Sequence, residues 1–136
     1  MLLFPRKTKY KKTQKGNLPN TVLSNKQTIV FGSIAFQTQT FGLLTNKQIE
    51  SARKVIMKKI KKQGKLWIRI FPHTPKTKKP IEVRMGKGKG SVEMWIAKIQ
   101  PGLILYEIEG ISLKLAKEIY SELKQKLPIK LKLRCN

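Results

Sequence analysis

The sequence predicts an α+β fold: two helices packed on a largely antiparallel sheet, with a long basic hairpin loop and an extended basic N-terminal arm. Three observations lead there. Strand-type runs and two helical periodicities follow one another as strands, helix, strands, helix, strand, an order that suits helices laid against antiparallel strands. The run Arg84-Met85-Gly86-Lys87-Gly88-Lys89-Gly90 alternates glycine with basic residues and Met and contains no acid, as the tip of a lifted hairpin would. Residues 1–27 carry Arg6, Lys7, Lys9, Lys11, Lys12, Lys15 and Lys26 without one acid, and Pro5, Gly16 and Pro19 break them. The expected organisation is a basic arm over 1–27 and a single α+β domain over 28–136, with the hairpin tip at about 80–92.

Each element has its own warrant. Between Thr28 and Leu44, Ile29, Val30, Phe31, Ile34, Phe36 and Phe41 are interrupted by Gly32 and Gly42, which predicts two short strands with a bend. Phe31 and Phe36 are expected in the core. Thr45 and Gln48 have capping-box spacing, and Ile49, Ala52, Ile56 and Ile60 follow at helical intervals up to Gly64. The other positions of this helix hold Arg53, Lys54, Lys58, Lys59, Lys61 and Lys62, opposed only by Glu50, so one face packs and the rest suits a polyanion.

Lys65 to Phe71 alternates as a strand, with Leu66, Ile68 and Ile70 on one face and Trp67, Arg69 and Phe71 on a mixed face that would meet RNA or a loop. Pro72, Pro75 and Pro80 then enclose an irregular basic stretch that includes His73, an exposed loop residue on this reading. Ile81–Val83 and Glu93–Ile99 are expected to flank the tip as strands, Trp95, Ala97 and Ile99 sharing a face. Pro101-Gly102 marks a turn before a strand over Leu103–Ile108. Ser112 introduces a second helix whose stripe is Ala116, Ile119, Tyr120, Leu123 and Leu127, and Pro128 ends it. Ile129, Leu131 and Leu133 alternate with Lys130, Lys132 and Arg134 in a last half-buried strand. At least one of Trp67 and Trp95 is expected to be largely buried.

Composition limits the chemistry. Lys plus Arg number 30 against 7 acids, a formal charge of +23, and 40% hydrophobic content argues against wholesale disorder. A domain so charged repels itself unless an anionic partner covers it, and nucleic acid is the commonest such partner. No apolar run approaches the about 20 residues that span a bilayer, so no membrane partner is expected. One Cys, Cys135, excludes an internal disulfide, and with the lone His73 it supplies no metal cluster. There is no Asp, and the tip lacks the Lys-Ser pair and following helix of a nucleotide-binding loop. Neither enzyme activity, catalytic residue, metal nor cofactor is expected. Glu82 and Glu93, beside the tip, are read as a cross-strand pair or as solvated strand residues.

Two stretches are specific enough to point to a family. Lys61-Lys62-Gln63-Gly64-Lys65-Leu66-Trp67-Ile68-Arg69-Ile70-Phe71-Pro72 and Arg84-Met85-Gly86-Lys87-Gly88-Lys89-Gly90 leading to Trp95 resemble the basic-Gly-Trp strand and the tip of the bacterial and organellar large-subunit ribosomal protein sixteen, the universal uL16 family. Pro5-Arg6-Lys7-Thr8-Lys9-Tyr10, Phe31-Gly32-Ser33, Gln48-Ile49-Glu50 and Gln100-Pro101-Gly102 extend the resemblance over nearly the whole chain. Gln14 and His73 depart from the family's usual His and Asp, and the end after Lys130 is its own.

The resemblance implies a structural, non-enzymatic protein bound to large-subunit rRNA beside the peptidyl-transferase centre. Arg84, Met85, Gly86, Lys87, Gly88 and Lys89 would lie near the acceptor ends of A- and P-site tRNA. Arg6, Lys7, Lys9, Tyr10, Lys11, Lys12, Lys15, Arg53, Lys58, Lys61, Lys62 and Arg69 would contact rRNA. Partners would be rRNA, tRNA and neighbouring large-subunit proteins, with no homo-oligomer. The alternative is a free-standing nucleic-acid-binding regulator. Lys outnumbers Arg 25 to 5 with frequent Ile and Asn, the bias of an AT-rich genome in an organelle or bacterium. Because the resemblance begins at Met1, leaving no presequence, a plastid ribosome is the first expectation and a mitochondrion the second.

Overall fold

A computed structural model describes residues 3–14, 16, 28–61 and 63–135. Its elements are β1 (Ile34–Thr38), β2 (Gly42–Thr45), α1 (Asn46–Ile60), β3 (Lys65–Ile68), β4 (Thr74–Lys78), β5 (Ser91–Ile99), β6 (Ile104–Glu109), α2 (Leu113–Lys126) and β7 (Leu131–Cys135). The strands form two antiparallel sheets, one ordered β3-β6-β1-β7 and the other β2-β5-β4.

Pairing in the larger sheet decides which residues face the helices. Ile68, Tyr106, Phe36 and Leu133 lie opposite one another across it, as do Leu66, Ile108 and Ile34, so they share one face. Phe36, Tyr106 and Ile108 join Ile49, Ile56 and Ile60 of α1 and Ile119 and Leu123 of α2 in one core cluster, and all of these are fully buried. The opposite face carries Trp67, Glu107, Ala35 and Arg134 in a row across the strands.

Local signals set the helix starts. Thr45 caps α1: its Oγ1 accepts from the Gln48 amide at 3.2 Å, while Gln48 Oε1 accepts from the Thr45 amide at 2.9 Å, the reciprocal capping box. Ser112 caps α2, and Ala116, Ile119 and Leu123 are its buried stripe. Tyr120, on the same stripe, is half-buried and donates its hydroxyl to the Leu131 carbonyl at 2.8 Å.

The strand expected over Lys65–Phe71 ends at Ile68. One further bond, from the Arg69 amide to the Leu105 carbonyl at 2.9 Å, follows before the chain crosses to the second sheet at Pro72, which has no amide to donate. The stretch read as irregular between Pro72 and Pro80 contains β4, paired with β5 in a register that sets Pro75 opposite Trp95. Proline is tolerated there because β4 is an edge strand. The hairpin under the tip is therefore β4 and β5, and Ile81–Val83 belongs to the loop. Phe31, expected in the core, precedes β1 and is 53% exposed. Trp67 and Trp95 are both half-buried, each on a sheet face covered only in part.

Candidate nucleic-acid interface

The tip is residues 79–90, the connection between β4 and β5. Arg84, Met85, Gly86, Lys87, Gly88 and Lys89 are all exposed, and Ile81 and Met85 are 98% and 96% accessible. Gly88 has φ +88°, a conformation that side chains resist, and a Cβ there would meet nothing within 4 Å. At the neck the constraint is contact. A Cβ on Gly90 would come within 2.3 Å of the Lys78 carbonyl oxygen, so only glycine lets β5 start beside the end of β4. Lys79 Nζ donates to the Gly86 carbonyl at 2.6 Å and ties the loop across itself. The loop thus presents Arg84 and Lys87 outward beside two large exposed apolar side chains. Glu82 is exposed in the loop, whereas Glu93 on β5 faces Lys78 at 3.6 Å, so the two acids do not pair with each other.

The described part of the arm runs from α1 to this tip. Leu3 is buried in the core cluster, and Phe4 and Leu3 border a pocket with Asn46, Lys47 and Glu50 at the start of α1. Further along, Lys12 Nζ donates to the Lys89 carbonyl at 2.9 Å and Lys89 Nζ donates to the Thr13 carbonyl. Arg6, Lys7, Lys9, Tyr10, Lys11 and Lys12 are exposed, with Lys9 5.6 Å from the centre of the Tyr10 ring. Lys15 lies outside the described residues, as does Lys62.

On α1 and β3 the cations divide. Lys54, Lys58 and Lys61 are exposed. Lys59 reaches Glu122 of α2 at 2.9 Å, which raises its pKa. Arg53 is engaged internally: both its Nε and Nη2 donate to Glu50, at 2.9 and 2.7 Å, and this hydrogen bonding lowers the Glu50 pKa and raises that of Arg53. Arg69 is likewise paired, with the fully buried Glu107. These two arginines, grouped with the rRNA contacts on sequence grounds, are held by carboxylates of their own chain.

Glu107 is the site that sequence reasoning missed. Its carboxylate accepts from the backbone amides of Val30, Phe31 and Gly32, at 3.2, 2.6 and 3.2 Å to Oε2, and from Arg69. Burial pushes its pKa up, but the Phe31 and Val30 amides and Arg69 outweigh that and hold it below the ordinary value. The mixed face of β3 meets this Val30–Gly32 loop. Phe31 stacks on Trp67 there, the rings 6.0 Å apart and 17° from parallel, with Lys65 over Trp67 and Arg69 over Phe31.

Comparison with known proteins gives one answer. The family described as ribosomal protein L16p/L10e matches residues 5–134. The chain is similar to the large ribosomal subunit protein uL16 of Psychrobacter arcticus and to that of Psychrobacter cryohalolentis, 52% identical to each over 130 residues, or 95% of this chain and 93% of each relative. It is 48% identical over 128 residues to the protein of the same name from Dichelobacter nodosus, with 94% and 93% covered. These relatives are bacterial and lend the plastid expectation no support.

Proposed function

The chain belongs to the ribosomal protein L16p/L10e family, and from that premise we propose that it is a structural protein of the large ribosomal subunit. Its arm and the exposed cations of α1 bind rRNA phosphates, and its hairpin tip lies near the peptidyl-transferase centre, where it steadies the acceptor ends of A- and P-site tRNA. Neighbouring large-subunit proteins are its other partners. The protein positions RNA and carries out no catalysis. The observation that carries this reading is the tip itself, where Arg84 and Lys87 stand exposed on a glycine-rich loop tied down at its neck and braced by the arm. The relatives favour a ribosome of bacterial type. The Lys-for-Arg bias adds an AT-rich genome, which a bacterium and an organelle satisfy alike.

Arg84 is the one tip cation with a planar fork able to grip phosphate through two donors, whereas Lys87 and Lys89 act as point charges. Subunits assembled with Arg84→Lys should keep full protein occupancy but lose A-site tRNA faster. The expected loss is about 1 kcal/mol, roughly fivefold in off-rate, with peptide-bond formation in the puromycin reaction retained. An unaltered off-rate at full occupancy would make the tip a bystander. Loss of all reaction at full occupancy would instead give the protein a part in catalysis.

A further inference from the structure

The outer face of the larger sheet holds four side chains in a row: Lys65, Trp67, Phe31 and Arg69, or cation, ring, ring, cation. The Lys65 ammonium lies 5.0 Å from the Trp67 ring centre, and the Arg69 guanidinium lies 5.4 Å from that of Phe31. Phe31 is more than half exposed, yet its backbone is anchored: Glu107 takes the amides of Val30, Phe31 and Gly32, and the same carboxylate pairs with Arg69. An exposed aromatic ring held in place by a buried carboxylate is pre-organised, so little ordering remains to be done when something stacks on it. The cations on either side select an anionic partner.

We propose that the Phe31–Trp67 pair is a stacking platform for an unpaired RNA base. The base stacks on the face of Trp67 that Lys65 now covers, and Phe31 backs that ring from its other side. Lys65, an exposed and flexible side chain, leaves the Trp67 ring for the adjoining phosphate, since a nucleobase stacks on an aromatic ring more strongly than an exposed ammonium does. Arg69 stays on Glu107 and edges the platform beside Phe31. Stacking of this kind reads no sequence but requires a base out of its duplex, so the platform recognises a flipped-out or single-stranded nucleotide. The inference rests on the ribosomal reading only in taking RNA as the partner at hand.

The test uses the full chain with Trp95→Phe, which leaves Trp67 as the sole tryptophan. The probes are a short oligoadenylate and a ribose-phosphate chain of equal length without bases. Oligoadenylate should quench Trp67 fluorescence and the baseless chain should not. Phe31→Leu keeps an apolar cover over Glu107 but removes the ring, and should weaken oligoadenylate binding about tenfold while leaving the baseless chain unaffected. Phe31→Tyr should restore binding to within about twofold of Phe31.

Equal losses on both probes would reduce Phe31 to a lid on Glu107 and overturn the proposal. No loss on either would overturn it too and leave the surface to a neighbouring protein, and equal quenching by both would overturn it by showing backbone contact without base stacking. Salt-steep binding of both probes without a base effect would refute the platform and leave the ribosomal reading standing. Base-dependent quenching by a chain that fails to join ribosomal subunits would do the reverse.

Discussion

A buried carboxylate is costly unless its hydrogen-bonding capacity is filled, and Glu107 is the residue at which this protein meets that condition most fully. Three backbone amides and a guanidinium converge on it, and among the described residues no buried side-chain polar atom lacks a partner. Its lowered pKa fixes a sign. A carboxyl that ionises more readily in the native state contributes stability above its unfolded pKa, near 4.5, and loses that contribution as pH falls through the lower native value. Glu107→Gln removes the charge opposite Arg69 and should therefore cost about 2–4 kcal/mol at neutral pH, read as a lower urea midpoint. The gap to the parent protein should narrow below about pH 4. A gap of constant size across that range would show that the charge is not what stabilises the loop. Nothing in the sequence showed that Glu107 is buried or what it holds, because its role comes from a register that puts it opposite both Trp67 and Ala35 and beneath a loop more than seventy residues away.

At the scale of elements, what was legible was local. Capping residues and a 3.6-residue stripe located the start of both helices, and Pro128 the end of α2, since each signal acts within one or two turns; α1, read up to Gly64, ends earlier, at Ile60. The Thr45 capping box is strong enough to test alone. Thr45→Ala should destabilise the domain by about 1 kcal/mol without changing the dependence on urea, and adding Gln48→Ala should cost less than its own single effect because the two side chains share one motif. Full additivity would mean that the two act independently. β4 was illegible for the opposite reason. Its Thr-Pro-Lys-Thr-Lys has weak strand character, and it is a strand because β5 lies beside it and its other edge is free. Ile81–Val83 erred the other way: β-branched side chains suggested a strand where no partner strand lies alongside.

For the whole molecule, charge is the governing quantity. A formal +23 on 136 residues is distributed over the arm, the exposed sides of both helices, the tip, the last strand and the outer sheet face, while three of the seven acids, Glu50, Glu122 and Glu107, hold Arg53, Lys59 and Arg69. The candidate site was legible where composition alone defines it, in the Gly-Lys alternation of the tip and the acid-free arm. It was not legible where three strands and a loop must come together, as they do at Phe31 and Trp67. The arm's reach from Leu3 in the core to Lys12 at the tip makes the two basic features neighbours, so both should meet the same RNA. Contacts of this kind release counterions and weaken steeply as salt rises. The most direct measurement is sedimentation of the native protein from a cell lysate through a gradient at moderate salt. The protein should travel with large ribosomal subunits and leave them only as salt is raised. A protein that remained at the top of the gradient, free or bound to unrelated nucleic acid, would contradict the ribosomal reading.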